Sequence, residues 1–206
     1  MFSGIIETTS KLISVKPFPG GWRIEIQRPE TFNDLSIGDS VAVNGVCLTV
    51  ESLNSECIQF ALAPETLKIT GWDCTRLLNA IVNLERSMRA NDRVHGHFVL
   101  GHVDGIANVV RRVDQGDSLI FGFELPSDYR SYVWKKGSLT LNGVSLTLNE
   151  VSEKGPLIVE VCLIPETLKR TNLSYLREKD HVTFEVDSMA RAFVHLWKTE
   201  KNHAQI

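Results

Sequence analysis

The sequence lacks several features that would assign a protein to a common class at once. No stretch approaches the roughly 18 consecutive apolar residues of a membrane-spanning helix, so we expect no membrane span. No long run of lysine or arginine is present, and the formal net charge of -3 does not predict a nucleic-acid partner. The opening segment Met1–Glu7 has no basic stretch before an apolar core, so we expect no signal peptide and a cytoplasmic protein.

Familiar catalytic and metal-binding motifs are also missing. The four cysteines (Cys47, Cys57, Cys74 and Cys162) form no C-x-x-C pair and no zinc-finger spacing, which in a cytoplasmic protein predicts reduced thiols. There is no glycine-rich phosphate loop, nucleophile elbow or H-E-x-x-H motif. What remains is an ordinary globular composition, with 43% hydrophobic and 23% charged residues in a chain of 206, enough for one large domain or two small ones.

The most informative feature is an internal duplication. Asn44–Val50 (NGVCLTV) returns as Asn142–Leu148 (NGVSLTL), with five of seven positions identical, and Pro64–Lys68 (PETLK) returns unchanged as Pro165–Lys169. Further pairs extend the match: Gly4-Ile5-Ile6-Glu7 with Gly101-His102-Val103-Asp104, and Val82-Asn83-Leu84-Glu85 with Val182-Thr183-Phe184-Glu185. All offsets lie between 97 and 101 residues, so one unit of small-domain size occurs twice.

Each copy is predicted to be all-β. Short β-branched runs alternate with turn residues, and Asn44-Gly45 and Asn142-Gly143 suit the type I′ turn of a tight hairpin. We expect two homologous small closed antiparallel, Greek-key-like β-barrels, because closure removes exposed strand edges. Helix is expected only as turns near Pro29–Leu35 and Asp128–Tyr132 and in the C-terminal tail.

The predicted domains are residues 1–93 and 94–187, joined in the polar stretch Ser87–Arg93, followed by the tail 188–206. Ser188–Asn202 has the periodicity of an amphipathic helix, whose start Asp187 or Ser188 would cap. Its apolar stripe consists of Met189, Ala192, Phe193, Leu196 and Trp197. The sequence leaves two interpretations open for this stripe: packing across the barrels or an oligomer contact.

Three of the six histidines lie close together, at His95, His97 and His102. His95 and His97 share a strand face and would allow a metal site, but no carboxylate or thiol is placed to complete it and the repeat does not preserve the set. We favour structural histidines at the junction of the two copies.

Small polar residues recur on one face of the duplicated strand. Cys47 and Ser145 are equivalent, and Thr49 and Thr147 follow two residues later. They either line a polar pocket or form cross-strand pairs on a solvated face. The Pro-Glu-Thr-Leu-Lys blocks likewise either free backbone groups to bind the edge of a planar heterocycle or form a simple turn with a solvated Glu/Lys pair.

These residues together resemble the riboflavin synthase family of lumazine-binding-domain proteins. The resemblance rests on Met1–Glu7, Gly38–Val50, Gly96–Gly105 and both Pro-Glu-Thr-Leu-Lys blocks, and it spans about residues 1–187 with a compatible helical tail. It implies a homotrimer with no cofactor and no metal. Association with lumazine synthase stays open.

The resemblance implies a reaction between two identical molecules. Two 6,7-dimethyl-8-ribityllumazines exchange a four-carbon unit to give riboflavin and 5-amino-6-ribitylaminouracil, one bound by each barrel, with the pair meeting between neighbouring subunits. A duplicated barrel provides two similar sites, and holding both reactants in place lowers the entropic barrier. The donor and acceptor must still act differently, so departures from repeat symmetry should mark the chemistry. Which barrel holds the donor stays open.

Site residues follow from the same resemblance. His102 is the candidate for proton transfer, and Ser145, Ser40 and Cys47 are candidates for the nucleophile or for stabilising its adduct. The residues expected to bind substrate are Gly4, Ile5, Ile6, Cys47, Leu48, Thr49, Ala61, Leu62, Ala63, Pro64, Glu65, Thr66, Gly101, His102, Val103, Lys136, Ser145, Leu146, Thr147, Cys162, Leu163, Ile164, Pro165, Glu166 and Thr167. The side chains of Leu62 and Ile164 are expected against the ring face.

One position departs from the family pattern. Some family members carry Asp where this chain has Asn142, so no acid–base role of a carboxylate is expected there. Asp187 is the remaining matching carboxylate, and its alternative interpretation is a cap on the tail helix.

Overall fold

The structure is a computed structural model that describes residues 1–73 and 77–203. Cys74 lies outside the described residues, as do the last three residues of the tail. Thirteen strands and three α-helices form in the described chain, and their order repeats in the two copies. The strands of the first copy are β1 (Thr8–Phe18), β2 (Gly21–Gln27), β3 (Ser40–Val43), β4 (Val46–Leu53), β5 (Cys57–Leu62) and β6 (Ile81–Arg86). Those of the second copy are β7 (Gly105–Gln115), β8 (Ser118–Leu125), β9 (Ser138–Leu141), β10 (Val144–Thr147), β11 (Glu150–Val151), β12 (Leu157–Leu163) and β13 (His181–Val186).

The helices are short except in the tail. They are α1 (Pro64–Thr70), α2 (Pro165–Arg170) and α3 (Ser188–His203), with 3-10 helices at Ser127–Tyr132 and Asn172–Tyr175. The two Pro-Glu-Thr-Leu-Lys blocks therefore open helices, and the expectation of a simple turn is wrong. Proline at the first helical position is favourable because its fixed φ suits the helix and it lacks an N–H that would have no partner there. The helical turn predicted near Pro29–Leu35 is also wrong, since this segment contains turns but no helix.

The first copy is a closed antiparallel barrel with strand order β1-β2-β5-β4-β3-β6. In the second copy the order is β10-β9-β13-β7-β8-β12-β11, and strand pairing does not close the ring. The strand equivalent to β4 is divided into β10 and β11, of which only β11 pairs with β12. The prediction of two closed barrels is therefore confirmed for the first copy and corrected for the second, which is an open half-barrel.

Two chain segments cross between the copies. We call residues 2–6 the N-terminal segment and residues 99–103 the linking segment. They meet in an antiparallel bridge, in which the Phe2 and Val99 amides each donate to the other's carbonyl (2.7 and 3.0 Å). Ile6 is buried in the core of the second copy, and Val103 packs against the core of the first. Each segment thus contributes an apolar side chain to the opposite copy.

The two Asn-Gly turns meet at the centre of the molecule. Asn44 and Asn142 have φ of 45° and 46°, and the following glycines are also positive, which confirms the predicted type I′ geometry. The side-chain oxygens of Asn44 and Asn142 accept from the amides of Asn83 (2.8 Å) and Thr183 (3.0 Å), which are equivalent residues. The contact between the turns is reciprocal, because a Cβ atom on Gly45 would lie 2.8 Å from the Gly143 amide nitrogen and one on Gly143 would lie 2.7 Å from that of Gly45.

The tail helix leaves most of its predicted stripe uncovered. Asp187 accepts a hydrogen bond from the amide of Met189 (2.8 Å), so its capping interpretation is confirmed. Ala190 is buried, but Met189, Phe193, Leu196 and Trp197 are each more than half exposed. Packing of this stripe across the barrels is therefore not observed. Among the described helices, none is both long and apolar enough to span a membrane.

Candidate functional site

The duplicated strand places its small polar residues outside each barrel. Along β4 the burial alternates, with Val46 and Leu48 in the core, Cys47 half-buried and Thr49 exposed. The same alternation holds along β10, where Ser145 is half-buried and Thr147 exposed. Both pairs therefore face away from their own cores.

The crossing segments lie directly on these outward faces. The Ser145 amide donates to the Gly4 carbonyl (2.7 Å), and the Cys47 amide donates to the Gly101 carbonyl (2.9 Å). Gly4 and Gly101 have φ of 74° and 78°, a region that favours glycine. A Cβ atom on Gly4 would lie 2.6 Å from the Ser145 Cβ, and one on Gly101 would lie 2.6 Å from the Cys47 Cβ. Each strand is therefore covered closely by a segment of the opposite copy.

The His97 ring contacts the outward face of the second copy directly. Its Nδ1 lies 2.7 Å from the Ser145 hydroxyl and its Nε2 lies 3.2 Å from the Thr140 hydroxyl. Burial lowers the pKa of His97, with the charge of Asp187 opposing that change. A neutral imidazole in contact with a serine hydroxyl can accept its proton. His97 is hydrogen-bonded at the junction of the two copies, as expected, since its amide also donates to the Ser3 carbonyl, whereas His95 is exposed.

The equivalent surroundings of Cys47 are apolar. Cys47 packs on a small cluster of Phe2, Ala42 and Val99. Ala42 is the cross-strand partner of Cys47, just as Thr140 is the partner of Ser145. The thiol of one copy and the hydroxyl of the other therefore occupy equivalent positions in different environments.

The remaining candidates for the chemistry lie around these two faces. His102 and its counterpart Ile5 are both exposed, each next to the glycine that covers the opposite strand. Ser40 is half-buried and pairs with Thr49 across the strands. Lys136 is exposed and has a φ of 70°.

The predicted binding residues 61–66 and 162–167 lie at the ends of β5 and β12 and at the starts of α1 and α2. Because β5 runs antiparallel to β4, its end lies beside the start of β4. Ala61, Thr66, Cys162 and Thr167 are half-buried there, and Ala63, Pro64, Glu65, Ile164, Pro165 and Glu166 are exposed.

Several apolar candidates point into the barrels instead. Leu62 and Leu163 are fully buried, Leu48 and Leu146 are less than a tenth exposed, and Ile6 lies in a core. This placement corrects the expectation that the Leu62 side chain meets a ring face, because that side chain is enclosed in the first core. Ile164 is 56% exposed and stays a candidate for that contact.

Two buried carboxylates stand at the ends of β6 and β13. Glu85 and Glu185 are 4% and 2% exposed. Burial raises the pKa of both, while the backbone amides that donate to them act in the opposite direction. Each occupies the equivalent position of the repeat.

Three of these residues, His97, Glu85 and Glu185, are only partly predictable from the sequence. The histidine cluster points to His97, but its contacts with Ser145 and Thr140 join distant parts of the chain, and no local pattern indicates them. Glu85 and Glu185 served only to align the copies. The available signal is a carboxylate that recurs at the equivalent position near the end of the last strand of each copy. Within the described ranges, no group of three or more histidine, cysteine or acidic side chains is arranged for a metal ion.

Comparison with known proteins accounts for the duplication. The family described as "Lumazine binding domain" matches residues 3–87 and again residues 100–187. Fold and sequence thus define a protein with two lumazine binding domains. Riboflavin synthase of Bacillus subtilis is 35% identical over 207 residues, which cover all of this chain and 94% of that protein. Riboflavin synthases of Escherichia coli and Saccharomyces cerevisiae are also 35% identical and cover 94% and 91% of this chain, and 90% and 82% of their own lengths. The chain belongs to the riboflavin synthase family.

Solved structures support the fold. Crystal structures of LumP with riboflavin and with 6,7-dimethyl-8-(1'-D-ribityl)lumazine superpose with TM-scores of 0.79 and 0.77 at 22% identity. Both alignments cover 90% of this chain and 99% of LumP. The fold is therefore shared with a protein that has been crystallised with each of these ligands.

Proposed function

We propose that this protein catalyses the reaction of a riboflavin synthase. Two molecules of 6,7-dimethyl-8-ribityllumazine would give riboflavin and 5-amino-6-ribitylaminouracil by transfer of a four-carbon unit. The two products together contain all the atoms of the two substrates, so the reaction needs no external oxidant. The observation that carries the proposal is full-length similarity to riboflavin synthases in a chain that has kept both lumazine binding domains.

The two outward faces support binding of one substrate by each copy. The hydroxyls of Thr49 and Thr147 suit the ribityl chain, and backbone groups around α1 and α2 suit the pyrimidinedione edge. We place Lys136 at the edge of the second site. Holding two reactants in defined positions supplies a large part of the rate enhancement in such a reaction.

The differences between the faces support different roles for the two molecules. The acceptor must lose a proton from its 7-methyl group, and the resulting charge spreads over the ring. We assign this proton transfer to His102. The donor must gain a nucleophile at C7, and Ser145 is supported best because neutral His97 is positioned to accept its proton. Cys47 and Ser40 are the alternatives on the first face.

Assembly is part of the proposal. The exposed stripe of α3 has apolar side chains that a second copy would cover, and a homotrimer would bring the first barrel of one subunit against the second barrel of its neighbour. We keep residues 1–93, 94–187 and 188–206 as the proposed domains, and the cytoplasm as the proposed location.

Incubation of the purified chain with 6,7-dimethyl-8-ribityllumazine, after treatment with a chelator, tests the function. We expect one riboflavin for every two substrate molecules consumed. Substrate binding without riboflavin formation would instead indicate a lumazine- or flavin-binding protein. Turnover that is lost on chelation and restored by a metal would indicate a metal enzyme.

A further inference from the structure

The two buried carboxylates each bind the backbone of a crossing segment. Glu85 Oε1 accepts the Ser3 amide (2.7 Å) and the Ser3 hydroxyl (2.9 Å), and its Oε2 accepts the Gly4 amide (3.0 Å). Glu185 accepts the amides of Leu100 (2.8 Å) and Gly101 (2.9 Å) with its two oxygens. Hydrogen bonds to a charged acceptor are stronger than those between neutral groups, so each segment is firmly held by the last strand of its own copy.

The same segments pass this restraint to the opposite copy. Gly4 receives the Ser145 amide on its carbonyl, and Gly101 receives the Cys47 amide in the same way. The path therefore runs from Glu85 through Gly4 to Ser145, and from Glu185 through Gly101 to Cys47. Each segment lies very close to the strand that it faces, since a Cβ atom added to Gly4 or Gly101 would collide with that strand.

The path from Glu85 has a second branch. The carbonyl of Ser3 accepts the backbone amide of His97 (3.1 Å), and the His97 ring contacts the Ser145 hydroxyl. Glu85 thus restrains both members of the His97–Ser145 pair through two neighbouring residues, His97 through Ser3 and Ser145 through Gly4. The path from Glu185 has no such branch among the described contacts, which matches the apolar surroundings of Cys47.

We propose that Glu85 and Glu185 are crossed positioning residues. Glu85 sets the geometry of Ser145 and His97 in the second copy, and Glu185 sets that of Cys47 in the first. The role in the reaction rests on the proposed function, whereas the crossed geometry does not.

The test compares Glu85→Gln and Glu185→Gln, which keep the side-chain shape and turn one acceptor oxygen into a donor facing an amide. Two readouts are taken without substrate. The first is the alkylation rate of Cys47 by iodoacetamide, measured by peptide mass spectrometry with Cys57 and Cys162 as internal references. The second is the set of NMR chemical shifts of the His97 ring in histidine-labelled protein.

We expect a crossed pattern. Glu185→Gln should change the Cys47 alkylation rate by roughly three- to tenfold and leave the His97 shifts in place, because the loss of one such bond corresponds to a change of that order. Glu85→Gln should shift the His97 resonances and leave the Cys47 rate within about twofold of wild type. Glu30→Gln removes the same charge at an exposed position and should alter neither readout.

Three results would overturn the proposal: each variant acting on the site of its own copy, both variants acting equally on both readouts, or neither acting in a folded protein. Should the glutamine variants not fold, amide hydrogen exchange in the wild-type protein decides the matter. The Gly4 and Gly101 amides should then be protected about as well as those of the barrel strands, and exchange as fast as in exposed loops would refute the restraint.

A chain that makes no riboflavin would refute the proposed function and leave these readouts valid. If wild type is active, both glutamine variants should lose kcat with little change in KM. Glu85→Asp and Glu185→Asp, which keep the charge, should recover part of that loss.

Discussion

The two copies of this chain share a fold but offer two different chemical environments at equivalent positions. The first copy places a thiol, Cys47, among Phe2, Ala42 and Val99. The second places a hydroxyl, Ser145, in contact with His97 and beside Thr140. Duplication provided two similar sites, and a few substitutions on one strand face made them chemically distinct. The proposed reaction, in which two identical molecules play different parts, would use this combination.

The ion pairs beside the two sites also differ. Glu7 and Asp104 are equivalent, and each accepts the amide of the residue that follows the buried glutamate of its copy (Arg86, 2.7 Å; Val186, 2.9 Å). In the first copy Arg86 itself pairs with Glu7 and also with Asp34. In the second copy the partner of Asp104 is Arg191 of the tail helix (2.6 Å). In the second copy, the residue that follows the linking segment is therefore paired with the tail helix, which is proposed to form the trimer.

The largest effect should come from adding a methyl group where the copies cross. Gly4→Ala and Gly101→Ala combine an unfavourable φ with a collision against the facing strand, and each should lower the free energy of unfolding by about 2–4 kcal/mol. Gly116→Ala is the matched control, because its φ is 61° and its Cβ would meet nothing within 4 Å. It should cost only about 1 kcal/mol in urea denaturation. Equal losses at all three positions would contradict the close crossing.

Replacing Arg86 and Arg191 in turn compares the ion pairs of the two copies. Arg86→Gln breaks ion pairs to two acidic residues and a contact with the Phe32 ring, and should cost about 2–3 kcal/mol. Arg191→Gln should cost about 1 kcal/mol, since the Arg191 side chain is more exposed than that of Arg86, at 45% against 27%. Arg23→Gln, which breaks a surface pair with Glu51, should leave the urea midpoint close to that of the wild type. A larger loss for Arg191 than for Arg86 would reverse the comparison.

A smaller effect should follow from the histidine that only the second site contains. Burial holds the pKa of His97 below its ordinary value of about 6.5, so the unfolded chain takes up a proton that the folded chain resists. The stability that neutral His97 contributes is complete above about pH 6.5 and is lost as the pH falls through its folded pKa. The difference in unfolding free energy between wild type and His97→Gln should therefore shrink below about pH 6.5, by at most about 1.4 kcal/mol per pH unit. Curves that stay parallel from pH 7.5 to 5 would refute the buried neutral histidine.

Much of the fold was predictable because the repeat supplied two independent samples of one pattern. The Asn-Gly turns, the alternating strands and the tail helix follow from local periodicity and turn chemistry. The division of one strand into β10 and β11 was not predictable, since the Asn142–Leu148 block matches its counterpart so closely. The helices that begin at Pro64 and Pro165 were not predictable from the proline, because proline is common both at the end of a strand and at the start of a helix.

The candidate site was predictable in part and for a different reason. Cys47, Ser145 and their threonines followed from the repeat and from strand alternation. The covering glycines, His97 and the two glutamates contact residues that are far away in the sequence, and no local pattern encodes such contacts. Lys136 adopts a φ of 70° at the position equivalent to Gly38, a conformation that the lysine itself does not favour.

The central claim is that the first copy of one subunit and the second copy of its neighbour form one reaction centre. Its most direct test is to mix two variants, each of which is blocked at one site. Thr49→Arg and Thr147→Arg place a bulky side chain on the outward face of β4 or β10 at exposed, equivalent positions, so both variants should fold and assemble. Each alone should form no riboflavin from 6,7-dimethyl-8-ribityllumazine. After the two variants are dissociated and reassembled together, activity should return. Some assemblies then pair an intact first site of one subunit with an intact second site of its neighbour. A mixture that stays inactive although mixed assemblies form would contradict it.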